Sequence, residues 1–460
     1  MTSNKQQATS NKQQATSNKQ QATSNKQAVI NHGKLVNEKL KILCAALALL
    51  CSGDIVFAAT ASSNTSVSTN LSDQLKKAVI SNNTKTIKSL IKQGVDIDNQ
   101  DNDKKYTPLM YAAEANAADA ISTLLSNKAN PDALDKDGKT ALIIAVESGN
   151  LKAVKKLADT NMLKANIRLI KKFKKAIDKK NESNLDIEDN KGYTALMYAV
   201  EKGRKDIFKT LLNEAADVNK KNHEGKTALM IAVEKENLDC IKLLIEKIKK
   251  FMQLFRTQSI KNDSVARAQQ ELNTVANPNI QDNNGKTALM IAVEKGNLKI
   301  VKELMGFSIL QKMFNLSIDA KVDIQDNSGW TALMMAVKQG RKDIAKLLLD
   351  RKYWILSKKK KTDIKNKEGQ TALMIAVSKG YSDLVDLLIK KGANVNAKDN
   401  NDKTPLMFAA SSGNIKIVQA LLKKKADINA KDKDGKTALY YAKKAKHTEI
   451  TNLLTKNGAK

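Results

Sequence analysis

The stretch that decides the fold is Asp282-Asn283-Asn284-Gly285-Lys286-Thr287-Ala288-Leu289-Met290-Ile291-Ala292-Val293-Glu294-Lys295-Gly296-Asn297, followed by Leu298-Lys299-Ile300-Val301-Lys302-Glu303-Leu304. Its first five residues read as a turn. Asp or Asn supports the bend through its side chain, and Gly285 supplies positive φ. Thr287 is placed to cap a helix. Ala288, Leu289, Ala292 and Val293 give that helix one short apolar face. Gly296-Asn297 stops it with a left-handed residue. Leu298, Val301 and Leu304, at i, i+3 and i+6, predict a second helix. Two short helices joined by a glycine turn cannot bury their apolar faces alone, so the unit needs neighbours.

The neighbours are in the sequence. The block T-[AP]-L-x-x-A occurs nine times, opening at Thr107, Thr140, Thr194, Thr227, Thr287, Thr331, Thr371, Thr404 and Thr437. The steps are 33, 54, 33, 60, 44, 40, 33 and 33 residues, a quantum of 33 with insertions of 21, 27, 11 and 7. A fixed period of this size predicts an all-α repeat solenoid of helix-turn-helix pairs with turn fingers. A further unit without the block fits before the first, with Leu75, Ala78, Val79, Ile87, Leu90 and Ile91 as its apolar face. Polar Ser72, Asp73 and Gln74 open it as an N-terminal cap, and Lys443, Lys444 and Lys446 mark a C-terminal cap. The expectation is about ten units over residues 73–457, with insertions near 160–181, 247–276, 306–317 and 350–361. Each insertion follows a second helix. Each reads either as a longer second helix or as a lysine-flanked apolar ridge for a membrane or partner, as with Trp354 beside Lys358 to Lys361.

These residues resemble the ankyrin-repeat family. Thr107-Pro108-Leu109 and Thr404-Pro405-Leu406 match its opening block, and the other seven copies carry Ala for Pro. Its trailing phrase stands as Ala393-Asn394-Val395-Asn396-Ala397 and Ala426-Asp427-Ile428-Asn429-Ala430. The family's histidine after the block's leucine, which ties neighbouring fingers, is replaced by Met110, Ile143, Met197, Met230, Met290, Met334, Met374, Met407 and Tyr440. Soft packing is expected in place of those bonds, with a less stiff row of fingers. Glu236 stands where other units have the inter-helix glycine. The resemblance implies protein binding on the concave face made by finger tips and the exposed side of the first helices. The matching positions here are Tyr193 and Lys202; Lys226 and Lys235; Asn284, Lys286 and Lys295; Trp330 and Gln339; Gln370 and Lys379; and Lys403 and Ser412. Trp330 reads as an exposed aromatic anchor or as a local packing contact between fingers.

Composition limits the chemistry. Aromatic residues are 4% of the chain, so the core must be aliphatic. The net charge is +31, but only six of the 79 basic residues are arginine. Arginine is the usual choice for bidentate phosphate and base contacts, so nucleic-acid recognition is not expected. A lysine excess spread through every repeat still attracts acidic proteins and anionic headgroups. His32, His223 and His447 are far apart, and no nucleophile–base pair, phosphate loop or metal-ligand spacing occurs. No enzyme, cofactor or metal is expected. Cys240 falls in a second helix and reads as a buried free thiol.

The N-terminal region has its own pattern. Residues 1–33 carry TSNKQQA in tandem, too polar to offset the entropy of ordering. Residues 34–61 hold Lys34, Lys39 and Lys41, an apolar run from Ile42 to Cys51, and small residues Ala58, Ala59 and Ala61. That is the layout of a secretory signal peptide, although its n-region would be unusually long; an uncleaved membrane anchor and a buried or incidental helix are the alternatives. Residues 62–72 read as a linker. A secreted or periplasmic location follows, with a cytoplasmic one as the alternative. Leader, Lys/Asn/Ile bias and repeat array together resemble proteins of AT-rich intracellular bacteria such as Rickettsia, which implies a host protein as partner. The functional expectation is a monomeric, non-enzymatic interaction scaffold; the alternative is a basic peripheral protein that binds a membrane surface or polyanions.

Overall fold

The computed structural model describes residues 64–159, 184–257, 275–314, 321–350 and 361–460. The leader, the insertion near 160–181, and Trp354 with Lys358 to Lys360 lie outside the described residues. The chain divides into two compact units, Met1–Val67 and Ser68–Lys460. The second unit holds the repeats. It is a succession of paired helices, with no strand among the described residues. The pairs are α1 (Asn64–Ile80) and α2 (Thr84–Lys92), α3 (Pro108–Glu114) and α4 (Ala118–Ser126), α5 (Ala141–Ser148) and α6 (Leu151–Ala158), α7 (Ala195–Glu201) and α8 (Lys205–Asn213), and α9 (Ala228–Glu234) and α10 (Leu238–Thr257). They continue with α11 (Ala288–Lys295) and α12 (Leu298–Phe314), α13 (Ala332–Lys338) and α14 (Lys342–Leu348), α15 (Ala372–Ser378) and α16 (Ser382–Lys390), α17 (Pro405–Ser412) and α18 (Ile415–Lys423), and α19 (Ala438–Lys444) and α20 (Thr448–Lys456). The first pair starts earlier than its sequence suggests. Helix α1 begins at Asn64, so most of the segment read as linker is helical; Val67, Leu71 and Leu75 continue its apolar spacing upstream.

Most first helices start at a buried threonine that caps them. In seven of the nine blocks the threonine Oγ1 accepts from the N–H three residues on, as Thr287 does from Met290 at 3.4 Å. The methionines do more than pack. The backbone N–H groups of Thr107, Thr371 and Thr404 donate to the Sδ of Met110, Met374 and Met407 at 3.4, 3.5 and 3.5 Å. A thioether is a weak acceptor, but at Thr107 and Thr371 it completes a reciprocal cap where glutamate usually serves. Small residues such as Ala288, Ala292, Ala332 and Ala336 are buried and let first helices approach closely. Leu304, Leu348 and Leu388 from the second helices fill the layer behind them. Burying one such side chain contributes about 1.5–3 kcal/mol.

Two insertions begin as longer second helices. Leu244, Ile245 and Ile248 are buried in α10, so the apolar spacing carries the helix on to Thr257. In the same way α12 runs on to Phe314. Lys247 of α10 donates its Nζ to the carbonyl of Leu212, in the last turn of α8. Burial pushes that ammonium down to about 8. Glu236 keeps the glycine conformation, with φ of 54°. The turn type is therefore unchanged, and the strain stays in the backbone at about 1 kcal/mol.

Cys240 is fully buried and is a free thiol. Burial pushes its pKa up to about 12, with Asp239 adding to the rise and Lys205 opposing it. An unfolded chain loses this proton from about pH 9 upward while the folded chain keeps it, so stability falls as pH rises from 9 toward 12. Lys247 acts oppositely between pH 8 and 10.5, and comparison with Cys240→Ala cancels it. The stability advantage of wild type over Cys240→Ala is expected to shrink as pH rises above 9. Parallel pH profiles of the two thermal midpoints would contradict this.

Candidate functional site

The site is built from the fingers. Each begins at an Asp or Asn whose Oδ1 accepts two backbone N–H groups. Asp282 accepts from Asn284 at 2.9 Å and from Lys286 at 2.8 Å. Asp135, Asp189, Asn222, Asp326, Asn366, Asp399 and Asp432 repeat this pattern. In three units the other carboxylate oxygen takes a tyrosine hydroxyl from the first helix. Tyr198 donates to Asp189 at 2.7 Å, Tyr441 to Asp432 at 2.5 Å, and Tyr111 to Asp101. Burial and the bonded carboxylate together hold the Tyr198 hydroxyl well above the ordinary phenol range.

The fingers are then tied to one another through the main chain. Lys136, Asn190, His223, Asn283, Asn327, Lys367, Asn400 and Lys433 each donate a backbone N–H to a carbonyl of the preceding finger, at 3.0–3.2 Å. Asn190, Asn283, Asn327 and Asn400 add side-chain bonds to the same neighbour. This ladder runs through main-chain atoms and needs no particular side chain at the methionine position.

Three rows of side chains run across this face. The first is the residue before each capping threonine, which is half-buried at Tyr193, Lys226, Lys286, Trp330, Gln370 and Lys403. The second lies eight residues on and was not singled out from sequence: Glu114, Glu147, Glu201, Glu234 and Glu294, then Lys338, Ser378, Ser411 and Lys444. The two rows pair within a unit, Lys139 with Glu147, Lys226 with Glu234 and Lys286 with Glu294, each at 2.8 Å. Burial opposes the charge on Lys226, but Glu224 and Glu234 outweigh it and hold its proton above the usual lysine range. The spacing of eight was the available signal, because it spans the cap and two helical turns. The third row is the next residue, exposed at Lys202, Lys235, Lys295, Gln339, Lys379 and Ser412.

Five of the thirteen sequence candidates converge on one cleft. Lys226, Lys235, Asn284, Lys286 and Lys295 line a space of about 530 Å³ together with Glu234, Asp282, Ile291 and Glu294. Tyr193, Lys202, Trp330, Gln339, Gln370, Lys379 and Lys403 take the equivalent places in other units. Trp330 differs from the exposed aromatic reading. It is half-buried against the core, and Lys338 Nζ lies 4.9 Å from its ring centre. Tyr193 is likewise half-buried, with its ring 5.1 Å from that of Tyr198. Gln339 reaches back to the Glu294 carbonyl at 3.0 Å.

Nothing in this arrangement is set up for bond-making chemistry. His223 sits in a finger and His447 before the last helix, where its Nε2 lies 3.1 Å from the Ser411 carbonyl. Among the described residues, no group of three or more His, Cys, Asp or Glu side chains could hold a metal ion. No described helix is long and apolar enough to cross a membrane.

A search of curated proteins finds no match to the chain. The family model described as ankyrin repeats (3 copies) matches residues 75–169, 162–253, 258–358, 352–432 and 399–460, nearly the whole repeat region. Helix pairs and turn fingers in every matched segment agree with it, and the fold is a non-catalytic one suited to protein–protein scaffolding. The chain belongs to the ankyrin-repeat family.

Proposed function

We propose that this protein is a non-enzymatic scaffold that holds a partner protein on the face formed by its fingers and first helices. The supporting observation is the cleft between the units of Thr227 and Thr287, where finger residues and helix-end residues of two repeats line one space. A solenoid presents such a surface without local active-site chemistry, and affinity then comes from a few central side chains. The test is a pull-down by the full chain, comparing wild type with Trp330→Ala and Lys295→Ala, and with Lys152→Ala and Lys155→Ala on the second-helix side. Groove variants are expected to lose about tenfold or more in capture, the size of one good anchor, while the others retain it. Equal capture by all five proteins would defeat the reading.

We further propose that the partner is met outside the cytoplasm of the producing cell, a host or envelope protein, because residues 34–61 have the layout of an export signal. Mass spectrometry of the mature protein is expected to find an N-terminus between Ala59 and Ser62. An intact TSNKQQA arm on a retained protein would refute export. The net charge of +31 favours a second reading, a basic peripheral protein on anionic membranes. That reading requires vesicle binding that disappears with added salt and does not depend on Trp330 or Lys295.

A further inference from the structure

The row of helix-end residues changes character along the array. In unit order it reads Ala115, Ser148, Lys202, Lys235, Lys295, Gln339, Lys379, Ser412, Ala445. Five consecutive units thus carry Lys-Lys-Lys-Gln-Lys, flanked on both sides by small neutral residues. All five side chains are exposed. In those units the two inner rows cancel: Lys226, Lys286 and Lys338 offset Glu201, Glu234 and Glu294. Glu234 and Glu294 are each held by a finger lysine at 2.8 Å. Counted over the three rows alone, the four helix-end lysines are the surplus charge; the finger acids Asp189, Asp282 and Asp326 are already bonded to backbone N–H groups, and Glu224 to Lys226. Lys235 has one loose contact, 3.8 Å from Glu201. Lys202, Lys295 and Lys379 form no ion pair with a described residue.

The repeat distance sets what can lie along that row. Packed helices stand about 8–10 Å apart, so the lysines recur once per roughly 10 Å. An extended peptide advances about 3.3–3.6 Å per residue, and three residues cover the same distance. We infer that the groove takes an extended acidic peptide segment whose carboxylates recur every third residue, with a neutral residue opposite Gln339. This rests on the protein-binding reading and names the chemistry of the partner. Lysine suits it: a compact, mobile ammonium gives a point charge and does not impose the bidentate geometry of arginine. The Gln339 position carries the same meaning. Its amide is already bonded to the Glu294 carbonyl and brings no charge to the row.

The test uses the full chain and labelled 13-residue Ser/Ala peptides followed by fluorescence anisotropy. One peptide carries Asp at positions 1, 4, 7 and 13, a second carries the reverse order, and a third carries four adjacent Asp residues. One of the periodic peptides is expected to bind about tenfold tighter than the clustered isomer, the sum of several exposed pairs each worth a few tenths of a kcal/mol. Lys235→Gln and Lys295→Gln are each expected to weaken it about threefold, whereas Lys152→Gln leaves it unchanged. Equal affinity for the periodic and clustered isomers would overturn the inference in favour of diffuse attraction. Equal affinity for a single-stranded oligothymidine would overturn it in favour of general polyanion binding. If the periodic peptides fail while Trp330→Ala still abolishes capture of a protein partner, the scaffold reading stands and only the acidic register falls.

Discussion

Replacing Gly285 by alanine is expected to destabilise the protein by about 3 kcal/mol, against about 1 kcal/mol for the same change at Gly435. Both glycines hold the same place in a finger, with φ of 76° and 74°. The left-handed backbone costs an alanine about the same at each site. The difference lies in the neighbouring finger. A Cβ on Gly285 would stand 2.6 Å from the backbone nitrogen of Asn327 and 3.0 Å from the carbonyl carbon of Asp326. Those are main-chain atoms of the next finger and cannot swing aside. To make room, the bond from Asn327 N–H to the Asn284 carbonyl, 3.0 Å, must lengthen or break. Gly435 belongs to the last finger, and its Cβ would meet nothing within 4 Å. Urea unfolding of the two variants measures the contrast directly. Equal losses would show that the fingers are not held in register by close backbone approach.

That contrast also marks how far the sequence could be read. Period, caps and turn glycines are local features, and each of them is written in residue type: Thr287 as cap, Gly285 as turn, Gly296 as stop. The finger ladder is invisible at that level because it joins main-chain atoms of different repeats. The glutamate row was missed for a related reason. Glu234 and Glu294 are unremarkable surface residues of a helix until the extended backbone at the capping threonine brings Lys226 and Lys286 over them. Trp330 was legible as an aromatic in a polar finger, but its packing against the core, with Lys338 near its ring, is a tertiary feature. Residues 62–72 looked like a linker because Ser, Thr and Asn dominate them, yet Val67 and Leu71 keep the apolar spacing of α1 and the helix extends through them. Leu71 packs against the core, and there tertiary packing outweighs weak local propensity.

Asp189→Ala is expected to be the most damaging polar substitution, at about 3–4 kcal/mol, with Asp189→Asn costing about 1 kcal/mol. Asp189 is 5% exposed and serves three donors: the N–H groups of Lys191 and Tyr193, at 2.9 and 2.8 Å, and the Tyr198 hydroxyl at 2.7 Å. Alanine takes the acceptor away from all three, and the Tyr198 hydroxyl among them belongs to a buried side chain. Asparagine keeps an oxygen for the two backbone donors and disturbs only the tyrosine. Tyr198→Phe alone removes one bond and leaves the carboxylate its other two, so it too should cost about 1 kcal/mol. The double substitution Asp189→Asn with Tyr198→Phe should cost less than the sum of the two, because both singles break the same contact. If Asp189→Ala proves no worse than Tyr198→Phe, the carboxylate is not what shapes the finger. The finger in turn sets the binding face: the N–H that Asp189 holds belongs to Tyr193, one of the inner-row residues, and His223 N–H of the next finger is bonded to the Lys191 carbonyl. Loss of partner capture by Asp189→Ala should therefore exceed that by Asp189→Asn, in the order of their stabilities, since the same bonds that close the turn position the residues that meet the partner.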